Sequence, residues 1–291
     1  MNSYDYDLGI IGGGAAGLTV ASGAAQLGAK TILVEKEPAL GGDCLHFGCV
    51  PSKTLIRSAH VYHDMANAAA FGLPKVDLPP VDFSRVAERI RAVVDQIQVH
   101  DSVERFCGLG VKVAFGEARF TDAHAIELDG GTISARTWVI ATGSSPIVPP
   151  IEGLAQVRYL TNREIFYMER LPESMLVLGG GPIGIEMAQA FNRFGTAVTV
   201  IDMAPQILGK EDRDMAEAVM AALAAEGVAF ALDSTVASVR EVNGRKQVTI
   251  QDAHGQERVL EAEALFVAIG RSANVEGLGL DAIGVAYTRG R

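Results

Sequence analysis

The chain has 291 residues, of which 48% are hydrophobic and 21% charged, a balance that indicates a folded α/β protein long enough for two domains. Its formal net charge of −10 argues against nucleic acid as a partner, because phosphate binding needs a basic face. Three cysteines are too few for a secreted disulfide scaffold, and no stretch reaches the roughly 20 apolar residues of a membrane span, so we expect a cytoplasmic protein that binds no membrane.

The chain begins with a predicted βαβ unit that has a glycine-rich first turn. A buried strand over residues 8–11 leads through Gly12-Gly13-Gly14-Ala15-Ala16-Gly17 into a helix, and a second strand ends at Glu35. The glycines of a G-x-G-x-x-G turn permit a tight turn, a close approach of backbone amides to a pyrophosphate, and close packing of helix on strand. An acid at the end of the second strand is placed to bind ribose hydroxyls. The unit therefore predicts a dinucleotide site, with contacts expected from Gly12, Gly14, Ala15, Ala16, Gly17, Glu35 and Lys36.

The next stretch, GGDCLHFGCVPSK from Gly41 onward, contains two of the three cysteines, Cys44 and Cys49. A disulfide needs Cα atoms within about 7 Å, and a regular helix would separate positions five apart by roughly 7.5 Å along its axis. A bridge between these cysteines therefore requires an irregular backbone, which Gly48 and Pro51 are expected to supply. A helix is predicted over residues 52–67, which would leave Cys49 beside its N-terminus.

The pattern Gly-Gly-x-Cys-x4-Cys-Val-Pro-Ser-Lys resembles the redox-active disulfide of the class I pyridine nucleotide-disulfide oxidoreductases. This flavoenzyme family includes dihydrolipoamide dehydrogenase, glutathione reductase and mercuric reductase. The resemblance implies that the first βαβ unit holds the ADP half of FAD, with Gly42 and Asp43 also near the cofactor. It implies further that Cys49 faces the flavin and that Cys44 attacks the substrate. Asp43 and His46 stand where familiar members more often carry Thr and Asn, so the resemblance leaves the substrate open.

The middle of the chain is predicted to contain two long helices and several short strands. The helices cover residues 52–67 and 83–106, and Cys107 is expected to be an inert buried thiol. Asp129-Gly130-Gly131 is predicted to form a hairpin turn between the short strands 111–114, 124–128 and 132–134. A buried strand from Trp138 is expected to end in Ala141-Thr142-Gly143, which resembles the family's second flavin-contacting element. Ala118 is a further expected cofactor contact.

A second βαβ unit repeats the first at a constant offset of 167 residues. At this offset Gly12, Gly14, Gly17, Gly28 and Glu35 meet Gly179, Gly181, Gly184, Gly195 and Asp202, which indicates a second dinucleotide-binding unit. The contacts expected there are Gly179, Gly181, Pro182, Ile183, Gly184, Asp202, Met203, Val236 and Gly270. The carboxylate of Asp202 would repel the 2′-phosphate of NADP, and residues 203–206 offer no cation, although a loop could bring back Lys210 or Arg213, the closest cations in the sequence. NAD is therefore expected to be preferred over NADP.

Beyond this unit the pattern predicts a helix over residues 214–225 and strands over 229–232, 236–242, 247–250 and 264–268. Asn243-Gly244 is predicted to form a hairpin turn. Gly270-Arg271-x-x-Asn274 resembles the family's exit from the nicotinamide domain. The expected fold is α/β, with two Rossmann-like FAD/NAD(P)-binding three-layer domains, each with a parallel sheet and an antiparallel β-meander. The expected bounds are 1–148 for the FAD-binding domain, 149–271 for the NAD(P)-binding domain, and 272–291 for the start of a return to the first.

The resemblance also implies more chain than is present here. Family members continue with a Gly-Asp element at the flavin and with an interface domain that supplies a His-x4-Glu base to the partner subunit. The sequence to Arg291 is therefore expected to be a truncated form whose full-length protein is a homodimer through the missing domain. The 291-residue form is expected to bind FAD poorly and to lack turnover.

Together with the resemblance, these motifs predict an FAD-dependent oxidoreductase that passes electrons from NAD(P)H through the flavin to the Cys44–Cys49 disulfide. A disulfide or similar thiol-reactive molecule would be the substrate. Lys53 is expected to stabilise negative charge on the thiolate and the reduced flavin, and Glu186 resembles the glutamate that pairs with that lysine. Two alternatives remain open: reduction of a soft metal ion, as in mercuric reductase, and a nucleotide-binding redox sensor without turnover. No resident metal site is predicted.

Overall fold

The computed structural model describes residues 4–288, which fall into two compact units. The first unit combines residues up to 51 with 91–145 and the segment from 271, and the second combines 52–90 with 146–270. The strands are β1 (Tyr6–Ile11), β2 (Thr31–Glu35), β3 (Val111–Phe115), β4 (Arg119–Asp122), β5 (Ala125–Leu128), β6 (Gly131–Ile140), β7 (Ser144–Pro146), β8 (Ser174–Leu178), β9 (Ala197–Ile201), β10 (Ala229–Ala231), β11 (Ser234–Val242), β12 (Arg245–Asp252), β13 (Glu257–Ala262), β14 (Ala264–Val267) and β15 (Arg271–Ala273). The α-helices are α1 (Ala15–Gln26), α2 (Gly42–His46), α3 (Cys49–Ala66), α4 (Phe83–Gln98), α5 (Val103–Gly108), α6 (Pro182–Arg193) and α7 (Arg213–Glu226). Short 3₁₀ helices lie at Ala68–Phe71, Val99–Asp101, Leu154–Gln156, Ile165–Tyr167 and Leu280–Ile283.

A six-stranded sheet forms the centre of the first unit, in the order β3-β2-β1-β6-β5-β4. The strands β3, β2, β1 and β6 pair in parallel, whereas β6, β5 and β4 form an antiparallel meander. The first residues of β6 pair with β5 and its later residues with β1, so the two separate strands predicted there are one strand. Asp129 and Gly130 have φ of 50° and 77°, which confirms the predicted turn, because a type I′ hairpin needs positive φ at both central residues.

Strand β2 and the second half of β1 are buried on both faces, which is why their sequences are almost continuously apolar. Successive residues of a strand point to opposite faces, so Ile10 and Ile11 of β1 belong to two different apolar clusters. The Ile10 cluster includes Leu18 and Ala21 of α1. The Ile11 cluster includes residues of the meander and, from the end of the chain, Leu278 and Leu280.

The second unit contains two separate sheets. Its parallel sheet has the order β10-β9-β8-β14, and its antiparallel sheet has the order β11-β12-β13. Asn243 and Gly244 have φ of 52° and 77° between β11 and β12, so the predicted hairpin turn is again confirmed. Alternate residues of β8, β12 and β14 fill one apolar core: Leu176, Leu178, Val248, Ile250, Leu265 and Val267. The predicted fold, a parallel sheet and a meander in each half, is confirmed.

Four local predictions about the middle of the chain were wrong. Helix α3 begins at Cys49 rather than at residue 52, because the N–H groups of a first helical turn lack intrahelical partners and a proline at its third position is tolerated. The predicted helix 83–106 is broken after Gln98, and Ser102 caps α5 by accepting a hydrogen bond from the Arg105 N–H at 3.3 Å. Cys107 is exposed rather than buried.

The fourth error concerns the end of β6, which was expected to be buried. Residues 138–139 are only half-buried and Ile140 is 38% exposed, although Trp138 and Val139 pack against the apolar clusters on the two opposite faces of the sheet. Trp138 packs where β1 has no side chain: a Cβ on Gly9 would lie 2.3 Å from its ring. This end of the strand is thus partly covered on both faces, and its last residue, Ile140, stays accessible.

An ion pair between α6 and α7 gives the second unit a testable pH dependence. Arg193 donates to both carboxylate oxygens of Glu226 at 2.6 and 2.7 Å, and the two side chains are only 11% and 18% exposed. The hydrogen bond from Arg193 is the largest cause that lowers the pKa of Glu226 below its ordinary value of 4.5. Because the folded-state pKa is depressed, the stabilisation is present above pH 4.5 and is lost as the pH falls through the folded-state pKa.

We expect Glu226→Gln to lower the free energy of unfolding by about 2 kcal/mol at neutral pH, the usual range for a hydrogen bond to a charged group. Urea unfolding at several pH values measures this, and the difference from the unmodified protein should shrink in acid. Glu217→Gln is the matched control, since Glu217 pairs with Arg213 on an exposed helix surface and should cost less than about 0.5 kcal/mol. Equal losses in the two variants would contradict the assignment.

Candidate functional site

The glycine-rich turn between β1 and α1 has glycines where no side chain fits. Gly12 has φ of +108°, and a Cβ there would lie 2.3 Å from the Ala141 oxygen. A Cβ on Gly17 would lie 1.8 Å from the Gly12 oxygen. Gly14 is different: it is the N-cap of α1, and the nearest atom to its Cβ position would be Gly42 Cα at 3.7 Å. The space in front of the helix N-terminus is therefore open to an anionic group.

The turn between β8 and α6 repeats this geometry within the second unit. Gly179 has φ of +109°, and a Cβ there would lie 2.5 Å from the Ala268 oxygen. A Cβ on Gly184 would lie 2.0 Å from the Gly179 oxygen. Gly181 is the N-cap of α6 and has no atom within 4 Å of its Cβ position. Both turns thus present an open helix N-terminus beside a tightly packed glycine.

The acids that follow the second strand of each unit, Glu35 and Asp202, hold the adjacent loops. Each carboxylate oxygen accepts one backbone hydrogen bond: Glu35 from Gly13 (2.6 Å) and Glu37 (2.8 Å), and Asp202 from Gly180 (2.5 Å) and Ala204 (2.8 Å). Glu35 is buried, whereas Asp202 is half-buried. Because a carboxylate can accept about four hydrogen bonds, each acid retains capacity for ribose hydroxyls.

The cysteine loop of the first unit starts against the nucleotide turn. Gly41 has φ of +110° and donates its N–H to the Gly13 oxygen at 2.8 Å. Gly42 has φ of +59°, and a Cβ there would lie 2.6 Å from Gly14 Cα. Only glycine permits this approach of one backbone to another. The loop and the turn therefore form one site.

Cys44 and Cys49 lie together, on α2 and at the first residue of α3. The break between the two helices at residues 47–48 supplies the irregular backbone that the spacing requires. Both residues are thiols in the structure, Cys44 half-buried and Cys49 exposed. Burial, followed by the hydrogen bond between the two side chains, raises the pKa of the Cys44 thiol above its ordinary value of 9.0. The two thiols are thus within hydrogen-bonding reach of each other.

Lys53 and Glu186 form an ion pair within the second unit. The Lys53 ammonium donates to both carboxylate oxygens at 2.7 Å, and the pair borders a groove of about 230 Å³ between α3 and α6. The side chains are 60% and 38% exposed, so the pair contributes at most about 1 kcal/mol to folding. Lys53 lies one helical turn after Cys49 on α3. The position of the pair, more than its energy, makes it a functional candidate.

A hydrogen-bonded network that was not predicted joins residues 142–145 to the end of the first unit. Asn274 accepts from the Thr142 hydroxyl at 2.6 Å through its backbone oxygen, donates to the Thr142 oxygen at 2.8 Å, and accepts from the Ser145 hydroxyl at 2.8 Å. Its own N–H donates to the Gly143 oxygen at 3.0 Å. Asn274 ends the Gly-Arg-x-x-Asn motif that resembles the family's exit from the nicotinamide domain, but the motif did not indicate these hydrogen bonds.

The remaining predicted contacts occupy varied surroundings. At the helix N-termini Ala15, Ala16, Pro182 and Ile183 are exposed, as are Lys36 and Met203 after the strand-end acids. Ala118 is buried in one apolar cluster, and Val236 is half-buried against another. Gly270 has φ of +141° and accepts from the Ile147 N–H at 3.0 Å. Asp43 pairs with Arg271 at 3.0 Å.

Residues 4–288 contain neither a metal-binding cluster nor a membrane-spanning helix. No group of three or more His, Cys, Asp or Glu side chains in this range could hold a metal ion. No helix in the same range is long and apolar enough to cross a membrane.

Comparison with solved structures places the geometry among flavoprotein disulfide reductases. The HOCl-induced flavoprotein disulfide reductase RclA from Escherichia coli superimposes with a TM-score of 0.84 at 30% sequence identity, over 98% of this chain and 61% of that one. A Cu(II) complex of the same protein matches with a TM-score of 0.84 at 29% identity.

Comparison of sequences gives the same assignment. The mercuric reductase of Lysinibacillus sphaericus is 33% identical over 98% of this chain and 52% of its own length. The dihydrolipoyl dehydrogenase of Bacillus subtilis (strain 168) is 37% identical over 95% of this chain and 61% of its own. The chain thus spans between about half and three-fifths of these relatives. Residues 6–291 match the family described as pyridine nucleotide-disulphide oxidoreductase, and the chain belongs to this family.

Proposed function

We propose that the protein is an FAD-dependent oxidoreductase that carries electrons from NADH to a Cys44–Cys49 disulfide and on to a disulfide substrate. The observation that carries this proposal is the contact of the two thiols in a loop that packs against a dinucleotide-type turn. The relatives named dihydrolipoyl dehydrogenase and flavoprotein disulfide reductase support it. We further propose that the complete protein is a cytoplasmic homodimer.

The two glycine turns fit two dinucleotides. At Gly14 and Gly181 the space in front of the helix N-terminus is open. The N–H groups of the first helical turn face that space, which is the arrangement that binds a pyrophosphate. Glu35 and Asp202 have acceptor capacity for the ribose hydroxyls. We assign FAD to the first turn, because the cysteine loop packs on it, and NAD to the second. FAD, when bound, supplies the two-electron carrier between nicotinamide and disulfide.

The cysteines then perform ordinary thiol–disulfide exchange. Reduction of the Cys44–Cys49 disulfide takes up two electrons and two protons and gives two thiols. Cys44, as a thiolate, attacks the substrate disulfide, forms a mixed disulfide and releases the first substrate thiolate. Cys49 attacks the Cys44 sulfur, releases the second substrate thiolate and restores the internal disulfide. Lys53 holds positive charge one helical turn from Cys49, and Glu186 fixes the lysine's position.

A soft metal ion is the second candidate substrate. Two thiols in contact suit such an ion, and the mercuric reductase of L. sphaericus is among the relatives. The two candidates separate in one assay: NADH oxidation by the protein with Hg(II) in excess thiol, against NADH oxidation with a small disulfide. The substrate that gives the larger kcat/KM decides between them.

The test of the proposed relay uses the protein expressed from its complete reading frame. NADH is added without oxygen, and the absorption spectrum and the number of alkylatable thiols are followed. We expect a new long-wavelength band and the appearance of two thiols that mass spectrometry assigns to Cys44 and Cys49. Slow thiol oxidation without any NADH-driven reduction would contradict the relay and support a redox sensor.

The choice of nicotinamide provides a separate prediction. Asp202 would place its charge near the 2′-phosphate of NADP, and two like charges about 4 Å apart repel by roughly 4 kcal/mol at an effective dielectric of 20. Met203 next to it carries no charge, and Arg213 is paired with Glu217 at 2.8 Å. NADH should therefore bind more tightly than NADPH. Asp202→Ala should lower the ratio of the NADPH and NADH dissociation constants at least tenfold, chiefly because NADPH binds more tightly to the variant.

Isothermal titration of the purified protein with each nucleotide measures these affinities without turnover. Glu211→Gln is the matched control, because it removes an exposed carboxylate from the same loop and should leave the affinity ratio unchanged. Tighter binding of NADPH than NADH by the unmodified protein would show that a cation outside the strand end governs the site.

A further inference from the structure

We infer that Asp43, held by Arg271, is a positioning residue that sets the dithiol–disulfide equilibrium of Cys44 and Cys49 in the reaction proposed above. The Arg271 guanidinium lies 3.0 Å from the Asp43 carboxylate, and the two side chains are 24% and 36% exposed. Asp43 is the residue directly before Cys44, in the first turn of α2. The pair therefore places one negative and one positive charge at the edge of the cysteine loop.

The Arg271 side chain is held by hydrogen bonds of its own, so its position does not depend on Asp43. Its Nε donates to the Ser144 hydroxyl at 2.9 Å, and one terminal nitrogen donates to the Ser144 backbone oxygen at 2.5 Å. The neighbouring residues 142–145 are held in turn by Asn274. Asp43 is thereby tied to a rigid part of the same unit.

The negative charge of Asp43 destabilises the reduced form of the cysteine pair more than the oxidised form. A thiolate is negative and a disulfide is neutral, so a nearby carboxylate disfavours the reduced, ionised pair. The direction of the Cys44 pKa agrees: burial and three effects of Cys49 come first, of which the backbone hydrogen bond lowers the pKa, and the charge of Asp43 then raises it by a smaller amount. The groups that act on this thiol are thus Cys49 from α3 and Asp43 from its own helix, and Arg271 from β15 acts through Asp43.

Opposite effects follow for the two partners of the ion pair. Asp43→Asn removes the negative charge, so the dithiol becomes more stable and the disulfide more oxidising. Arg271→Gln leaves the carboxylate without its counter-charge, so the dithiol becomes less stable. If the ion pair only stabilised the fold, Asp43→Asn and Arg271→Gln would both disturb the cysteine loop in the same way and would shift the equilibrium in the same direction. The sign of the change therefore separates the two roles.

The experiment measures the equilibrium directly, in a Cys107→Ser background because Cys107 is exposed and would react. The protein is equilibrated without oxygen in mixtures of reduced and oxidised dithiothreitol at pH 9.0, then alkylated and analysed by mass spectrometry. For Asp43→Asn we expect a three- to tenfold shift towards the dithiol, where tenfold corresponds to about 30 mV for two electrons. For Arg271→Gln we expect a smaller shift, at most about twofold, towards the disulfide, because the Cys44 thiol of the unmodified protein is already mostly protonated at pH 9.0.

Two controls complete the design. Asp43→Glu and Arg271→Lys keep the charges and should stay near the unmodified equilibrium. At pH 7.0, where fewer thiolates are present, the shift in each charge-removing variant should shrink. Shifts of the same sign in Asp43→Asn and Arg271→Gln, or no shift in folded Asp43→Asn, would overturn this inference alone. A protein in which Cys44 and Cys49 never form a disulfide would overturn both this inference and the proposed relay.

Discussion

Replacing either cysteine of the loop, Cys44→Ser or Cys49→Ser, should lower NADH-dependent disulfide reduction by at least about 10³-fold, because each thiol is a reactant and not a stabiliser. The two variants should differ in their spectra. Cys49→Ser should lose the long-wavelength band of the reduced protein, and Cys44→Ser should keep it, because we assign Cys49 to the flavin side. Anaerobic titration with NADH, together with steady-state assays on the complete protein, measures both effects.

The structure makes this test necessary. Cys49 is exposed and Cys44 is half-buried, so exposure alone would make Cys49 the more accessible thiol. The assignment of roles is therefore open to direct contradiction: if Cys49→Ser kept the band and Cys44→Ser abolished it, the order would be reversed. Cys107→Ser is the matched control, since that exposed thiol lies on α5 and should be replaceable without loss of activity.

Two glycines of α1 should respond to the same substitution in opposite ways. A Cβ on Gly17 would lie 1.8 Å from the Gly12 oxygen, a backbone atom that cannot move without opening the nucleotide turn. We expect Gly17→Ala to lower the free energy of unfolding by about 3 kcal/mol, the upper range for overpacking. Gly23 lies in the same helix with nothing within 4 Å of its Cβ position. Gly23→Ala should raise stability by about 0.5–1 kcal/mol through helix propensity.

Urea unfolding of the two variants and the unmodified chain measures this contrast, and FAD titration shows whether the turn is still formed. Gly184→Ala should repeat the Gly17→Ala result in the second unit, because its Cβ would lie 2.0 Å from the Gly179 oxygen. Equal and small effects of Gly17→Ala and Gly23→Ala would mean that the turn can relax around a methyl group. Such relaxation would mean that steric exclusion of a side chain does not explain why glycine occupies these positions.

The nucleotide turns and the hairpins could be predicted from the sequence because their causes are local. Positive φ at Gly12, Gly179 and Gly244 requires glycine, and a helix or strand next to such a residue has its own hydrophobic periodicity. The equal spacing of two such units was visible as one offset. The strands β4 and β13, in contrast, were missed, since each pairs with one neighbour in its sheet and has little apolar alternation of its own.

The cysteine motif predicted the pair of thiols, because the two residues are close in the chain and Gly48 interrupts the helix between them. The pairing of Lys53 with Glu186 came only through the family resemblance, since 133 residues separate them. Nothing in the sequence indicated that Arg271 would contact both Asp43 and Ser144. The position of a charged surface residue in the sequence follows no periodicity or turn preference, so the sequence does not identify its distant partner. Backbone chemistry therefore determined the elements of this protein, whereas only the tertiary structure decided which distant charges meet beside the cysteine loop.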